Sequence, residues 1–250
     1  MGLDSPNLGT VTVIGATGLV GREVRHVLSE VEGAAVVNVF TRTERHELIG
    51  TRERRWPFPD LDFFADAWEQ PGRFDALVDL VAEALPPGDT LVSCLGTTWR
   101  AAGSAQKFRF VDFAINAAFA RAAAAGGYRR YGLISSYGAD ASSRWLYTST
   151  KGELEEFVTA LDFDTLRIAR PGLLRGERRT GRLGERAAAR LLAAATRMGL
   201  STRVPYAAVD ARLVAGALVN ALEEDRPAVR ILLNADMYSL FEAHSPNPLQ

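Results

Sequence analysis

Short apolar runs alternate along this chain with longer stretches whose apolar positions recur every three or four residues. The runs at 11–14, 36–40, 90–95, 131–135, 165–169 and 229–233 are short and rich in apolar and β-branched residues, as strands are. The stretches at 19–31, 74–85, 108–125, 145–161, 186–198 and 210–223 read as helices; in 74–85, Leu77, Val78, Val81 and Leu85 fall on one face. Gly126-Gly127 ends the Ala-rich third helix, because glycine takes the left-handed cap at little steric cost. Strands apolar on both faces, each followed by a helix, predict an α/β fold: a doubly wound parallel sheet covered by helices on both sides. One domain is expected over residues 1–250. It carries a small carboxyl-terminal lobe at about 172–210, where a Gly- and Arg-rich stretch (175–185) breaks the rhythm. A tail with two prolines is expected at 243–250.

Gly15-Ala16-Thr17-Gly18-Leu19-Val20-Gly21 stands between the first strand and the first helix. In that place Gly15 permits the tight turn, Gly18 lets the backbone approach a pyrophosphate, and Gly21 lets helix and sheet pack closely. The helix amino end adds unpaired N–H groups and a partial positive charge. This is the dinucleotide-binding pattern of a Rossmann fold, in a GxxGxxG spacing and without the lysine of a nucleoside-triphosphate loop. After the second strand, where an NAD enzyme carries an acidic residue for the ribose 2′-hydroxyl, the chain reads Thr41-Arg42-Thr43. A guanidinium there pairs with a 2′-phosphate and favours NADP(H) over NAD(H).

Tyr147 and Lys151 are four residues apart, so on a helix they share a face. A free phenol titrates near ~10, and a neighbouring ammonium stabilises its anion, which makes the pair a candidate acid/base. Ser135-Ser136 ends the preceding strand, on the side where open α/β sheets bind ligands. Either serine could donate to a substrate carbonyl, or could serve a turn or a helix cap instead.

Further motifs follow in a fixed order: Cys94-Leu95-Gly96-Thr97-Thr98, Ala125-Gly126-Gly127, Ile134-Ser135-Ser136 with Gly138-Ala139-Asp140, Ser142-Ser143, Leu146-Tyr147, Lys151-Gly152-Glu153 and Arg170-Pro171-Gly172. With the glycine loop they resemble the atypical short-chain dehydrogenase/reductase superfamily, most of all its Tat-interacting-protein oxidoreductase family, over residues 10–235. The resemblance implies a Rossmann fold binding NADPH, with Gly15, Thr17, Gly18, Leu19 and Val20 at the phosphates and Arg42 at the 2′-phosphate. Leu95, Gly96 and Thr97 would line the ribose, and Pro171, Gly172, Leu173 and Leu174 the nicotinamide amide. Ser136 or Ser135, with Tyr147 and Lys151, would carry catalysis on a carbonyl or alcohol substrate, and the late lobe would be a substrate lobe. The chain departs from the family at Thr43, where a second basic residue is usual, and around Asn116, for which helix packing is expected over a relay role. The same resemblance allows a second reading, an NADPH-binding regulator without turnover, and a smaller third one, an epimerase or dehydratase.

Composition narrows the partners. Lys and Arg number 29 against 30 Asp and Glu, so the net charge is −1, which predicts neither a nucleic-acid nor a membrane partner. The basic clusters Arg52, Arg54, Arg55 and Arg175, Arg178, Arg179, Arg182 read as solvated faces, and the second also as a substrate lid favouring an acidic substrate. A single cysteine, Cys94, excludes an internal disulfide, and three dispersed histidines give no metal-site spacing. The start of the chain shows no targeting signal, so a cytoplasmic location is expected. The Ala-rich helices offer surface for a homodimer.

Overall fold

The computed structural model describes residues 8–30, 34–42, 50, 52–175, 208–224 and 228–244. Its centre is a seven-stranded sheet, all parallel, in the order β3-β2-β1-β4-β5-β6-β9. The strands are β1 (Gly9–Ile14), β2 (Ala34–Thr41), β3 (Glu53–Pro57), β4 (Thr90–Ser93), β5 (Arg130–Ile134), β6 (Thr165–Ala169) and β9 (Ala228–Leu232). A separate two-residue ladder joins β7 (Leu174–Arg175) to β8 (Val209–Asp210). The order reverses between β1 and β4, and that switch point opens a crevice at the carboxyl ends of the strands.

Helices cover both faces, so the core is double. Val11 and Val13 of β1 face α1 (Leu19–Glu30) and α7 (Ala211–Glu223), in a core with Val24, Leu28, Leu213 and Leu218. Ile14 belongs to the opposite core, with α2 (Arg73–Ala84), α5 (Asn116–Ala125) and α6 (Leu146–Thr159). Thr12 lies buried in the same strand, and its hydroxyl is satisfied by Tyr128 at 2.8 Å. The doubly wound parallel sheet expected from the pattern is thus the observed architecture. Residues 176–207, which are most of the expected lobe with Arg178, Arg179 and Arg182 of its arginine cluster, and the helix expected at 186–198, lie outside the described residues.

Three segments differ from the pattern reading. The basic cluster at 52–55 runs into strand β3, whose pattern is hidden because its one buried residue is charged: Glu53 takes a bidentate pair from buried Arg25 of α1, both contacts 2.8 Å. Trp56 Nε1 also donates to Asn38 Oδ1 of β2 at 2.9 Å, while Arg54 and Arg55 stay exposed at the sheet edge, where charge discourages stray pairing. After β9 the chain forms α8 (Asn234–His244), which the tail reading did not anticipate. Its short apolar stripe, Met237 and Leu240, packs on α7, where a Cβ on Gly216 would lie 2.8 Å from the Phe241 ring. The helix at 108–125 is continuous but irregular: after the short α3 (Trp99–Ala102), α4 (Ala105–Arg109) runs through a π turn (Phe110–Ile115) into α5. The Asn116 amide donates to Val111 O at 2.9 Å across that wider turn.

Candidate functional site

The glycine loop is built at the crevice as its spacing requires. Gly15 has φ +70°, and a Cβ there would meet the Cys94–Leu95 backbone at 2.4 Å. Gly18 N–H closes the turn on Gly15 O at 3.0 Å, and a Cβ on Gly21 would sit 2.2 Å from that same carbonyl. Ala16 is buried, whereas Thr17 and Gly18 are exposed along the groove, followed by Leu19 and buried Val20 at the start of α1. A dinucleotide phosphate needs backbone free of side chains above a helix amino end, and this loop supplies it.

Across the switch point, Leu95, Gly96 and Thr97 form the loop after β4 and line both of two cavities in the crevice. One, of about 610 Å³, is lined by Thr17, Gly18, Gly96, Asp112, Tyr147 and Lys151. The other, of about 710 Å³, is lined by Arg42, Asp60, Asp62, Gly96, Lys107 and Phe110. Arg42 is exposed at the end of β2, next to Thr41, and faces this second cavity. A third cavity, of about 400 Å³, brings Ser136 and Tyr147 together with Pro171, Gly172, Leu173 and Leu174. Gly172 N–H donates to buried Asn234 Oδ1 at 3.1 Å, so the unanticipated α8 helps to hold the loop after β6.

The two serines diverge. Ser135 lines both cavities that hold Tyr147, but its hydroxyl donates to Glu155, which is itself clamped by Arg170 through contacts of 2.6 to 3.0 Å in a partly buried network. Ser136 is less buried, and its hydroxyl donates to the neighbouring Tyr137 carbonyl at 3.3 Å while lining the cavity with Tyr147. Tyr147 is half exposed, and its ring leans on Phe108 with centroids 5.8 Å apart; Trp99 also meets Phe108, with centroids 6.4 Å apart. Cys94 lies half-buried at the groove wall, and desolvation pushes its thiol up to about 12, which disfavours the thiolate.

Tyr147 and Lys151 owe their place to a close approach of α6. A Cβ on Gly152 would fall 2.1 Å from Ala141 N and 2.3 Å from Asp140 C, backbone that cannot rotate away. The loop below is stiffened by Asp140, whose carboxylate accepts from the Ser142 hydroxyl and amide at 2.7 and 2.9 Å; those bonds hold it below the usual carboxylate range. Gly152→Ala is therefore expected to push α6 off the loop and lower the melting temperature by roughly 5 °C or more, since about 1 kcal/mol shifts a chain of this size by about 2–4 °C and overpacking costs about 1–3 kcal/mol. A thermal melt followed by circular dichroism checks this, and an unchanged midpoint would refute the packing argument.

Sequence reasoning missed Asp112. Its carboxylate is buried and lies 2.7 Å from Lys151 Nζ, while its other oxygen accepts from Thr97 N–H at 2.8 Å. The available signal was a lone charge inside the apolar run 111–120. Asn116, by contrast, works within the scaffold: it is fully buried, accepts from Ser93 and donates to Val111 O and, at 3.4 Å, to Leu95 O.

Among the described residues no helix is long and apolar enough to cross a membrane, and no group of His, Cys, Asp and Glu is placed to hold a metal ion. No family model matches the chain. Protein fmp52, mitochondrial, of Aspergillus clavatus is 34% identical over 225 residues, covering 88% of this chain and 92% of that protein. Protein FMP52, mitochondrial, of Candida albicans is 34% identical over 168 residues, 67% of this chain and 68% of that one. Among solved structures, the Bordetella bronchiseptica enzyme WbmH in complex with NAD+ superposes with a TM-score of 0.59 at 13% identity, over 94% of this chain and 79% of that one. A short-chain dehydrogenase/reductase of Veillonella parvula gives 0.53 at 12% identity, over 88% of each. At such identities the structures show a shared fold alone, a Rossmann fold. The expectation of a cytoplasmic location is overturned, because these relatives and that of Aspergillus niger are all named mitochondrial; the lack of a recognisable signal at the chain start was never positive information about compartment. At this identity, over nearly the whole length of the Aspergillus clavatus protein, the chain belongs to the FMP52 family.

Proposed function

We propose that the chain is an NADP-dependent oxidoreductase acting on a carbonyl or alcohol substrate. One observation carries this reading: Tyr147 and Lys151 share a continuous groove with the glycine loop, and Ser136 shares the adjoining cavity with Tyr147. A bound nicotinamide would supply or accept the hydride. Tyr147 moves the proton at the substrate oxygen, Ser136 donates a hydrogen bond that orients the same oxygen, and Lys151 holds hydroxyl groups in the groove and supports the phenol electrostatically. The residues present fit a dinucleotide, since Gly15, Gly18 and Gly96 leave a cradle in which any Cβ would meet backbone, Asp112 or Lys151. For location, the reading follows the fungal relatives, which are named mitochondrial.

The preference for NADPH rests on Arg42, with Lys107 lining the same cavity as a second cation in place of the family's residue at Thr43. Titration of the purified protein with NADPH and NADH, followed by nicotinamide fluorescence, tests the reading directly. Micromolar NADPH binding supports it, and binding of neither cofactor rejects it. Arg42→Ala is expected to weaken NADPH by about tenfold or more, in line with a lost charge-assisted contact of about 1.5–3 kcal/mol, and to leave NADH within about twofold. Equal losses for the two would remove the 2′-phosphate assignment.

A further inference from the structure

Lys151 does not stand alone behind Tyr147. Its ammonium lies 2.7 Å from Asp112 Oδ1, and both side chains are almost fully buried, at 5% and 1% exposed. Asp112 Oδ2 accepts the Thr97 amide at 2.8 Å, and a Cβ on Gly96 would lie 3.2 Å from Asp112 and 3.6 Å from Lys151 Nζ. One carboxylate therefore ties together the loop after β4, the π turn and α6, which are the three segments that meet at the groove. A buried pair of this kind adds little net stability, because removing both charges from water offsets most of their attraction. What it fixes is geometry. It sits in a π turn, a helical irregularity that recurs at functional sites, and the Asn116 side chain holds that turn through Val111 O.

We infer that Asp112 is a positioning residue for Lys151: it occupies one of the ammonium's three donors and leaves the other two for hydroxyl groups of a ligand in the groove. Without the carboxylate, the flexible four-carbon stem loses its anchor and the ammonium is no longer delivered to one place. The inference deepens the oxidoreductase reading and rests on it, because the hydroxyls concerned are those of a nicotinamide dinucleotide.

The test is a double-mutant cycle on the full chain, read as NADPH affinity by nicotinamide fluorescence in wild type, Asp112→Asn, Lys151→Met and the double variant. Asparagine keeps an acceptor for the Thr97 amide but removes the charge. Asp112→Asn is expected to weaken NADPH by about tenfold when Lys151 is present, and by less than about twofold in the Lys151→Met background. A residue that merely braced the loop would cost the same in both backgrounds, so multiplying losses would overturn the inference, as would unchanged or tighter binding by Asp112→Asn. Should Asp112→Asn fail to fold, Asp112→Glu keeps the charge and displaces it by one methylene. It is expected to fold and to weaken NADPH at least about threefold, and wild-type affinity would overturn the inference. A wild-type protein that binds neither NADPH nor NADH would reject the oxidoreductase reading and this inference together; wild-type binding with multiplying losses rejects the inference alone.

Discussion

Replacing Tyr147 by phenylalanine should lower carbonyl reduction by about a hundredfold or more, the usual scale for a lost general acid, while NADPH affinity stays within about twofold. The argument is one of atoms. The substitution deletes a single hydroxyl and leaves the ring, which packs on Phe108 at 5.8 Å, free to keep its place. Neither the glycine loop nor the Lys151–Asp112 pair touches that oxygen among the described contacts. Steady-state turnover on a panel of carbonyl compounds, set beside cofactor titration of the same preparation, separates the two effects. Turnover retained within a factor of a few would remove Tyr147 from proton transfer. A parallel loss of cofactor affinity would make it a binding residue instead.

The second large effect is expected at Gly21. In Gly21→Val the new Cβ would fall 2.2 Å from Gly15 O and 2.8 Å from Ala16 Cα, and both are backbone atoms that no rotamer change can clear. Either α1 leaves the sheet or the loop loses its shape, so cofactor binding should fall by at least about a hundredfold. Unfolding should ease by about 3 kcal/mol or more, near the upper end for overpacking. Gly103→Ala is the control. That residue also has a positive φ, of 75°, but a Cβ there meets nothing within 4 Å, so only the left-handed penalty of about 1–2 kcal/mol applies and binding should be unchanged. Chemical denaturation and NADPH titration of the two variants decide the matter; a Gly21→Val protein that binds normally would show that the close approach is not needed.

How much of this could be read from sequence depends on what carried each feature. The sheet was legible because β1, β4, β5 and β6 are buried on both faces and so read as short runs dominated by apolar and β-branched residues, even though Thr12, Ser93 and Arg167 interrupt them. β3 was hidden because its inward-facing position is Glu53, satisfied by an arginine 28 residues earlier in the chain, and local pattern contains no record of such a partner. The glycine loop, Arg42, Ser136, Tyr147 and Lys151 were visible as residue types at given spacings. Their distribution over three cavities, the glycine loop with Tyr147 and Lys151, Arg42 in a second, and Ser136 with Tyr147 in a third, is a property of the topology. Asp112 escaped for the opposite reason: one acid in an apolar helix reads as an interruption until the lysine it meets is placed opposite. Ser135 and Ser136 differ in the hydrogen bonds they make just beyond the end of β5, and which of them meets Glu155 and Arg170 only the fold decides.

The packing of α1 beneath α7 bears on the order in which this protein can be completed. The helix that supports the glycine loop is roofed by residues from the far end of the chain, with Val20, Val24 and Leu28 sharing a core with Leu213, Leu218 and Leu222. A chain emerging from the ribosome therefore carries an uncovered apolar stripe until its last fifth has been made. Contacts so distant in sequence form slowly, and in the interval that stripe is a surface for chaperones or for aggregation. Truncation anywhere before Ala211 would leave it bare permanently.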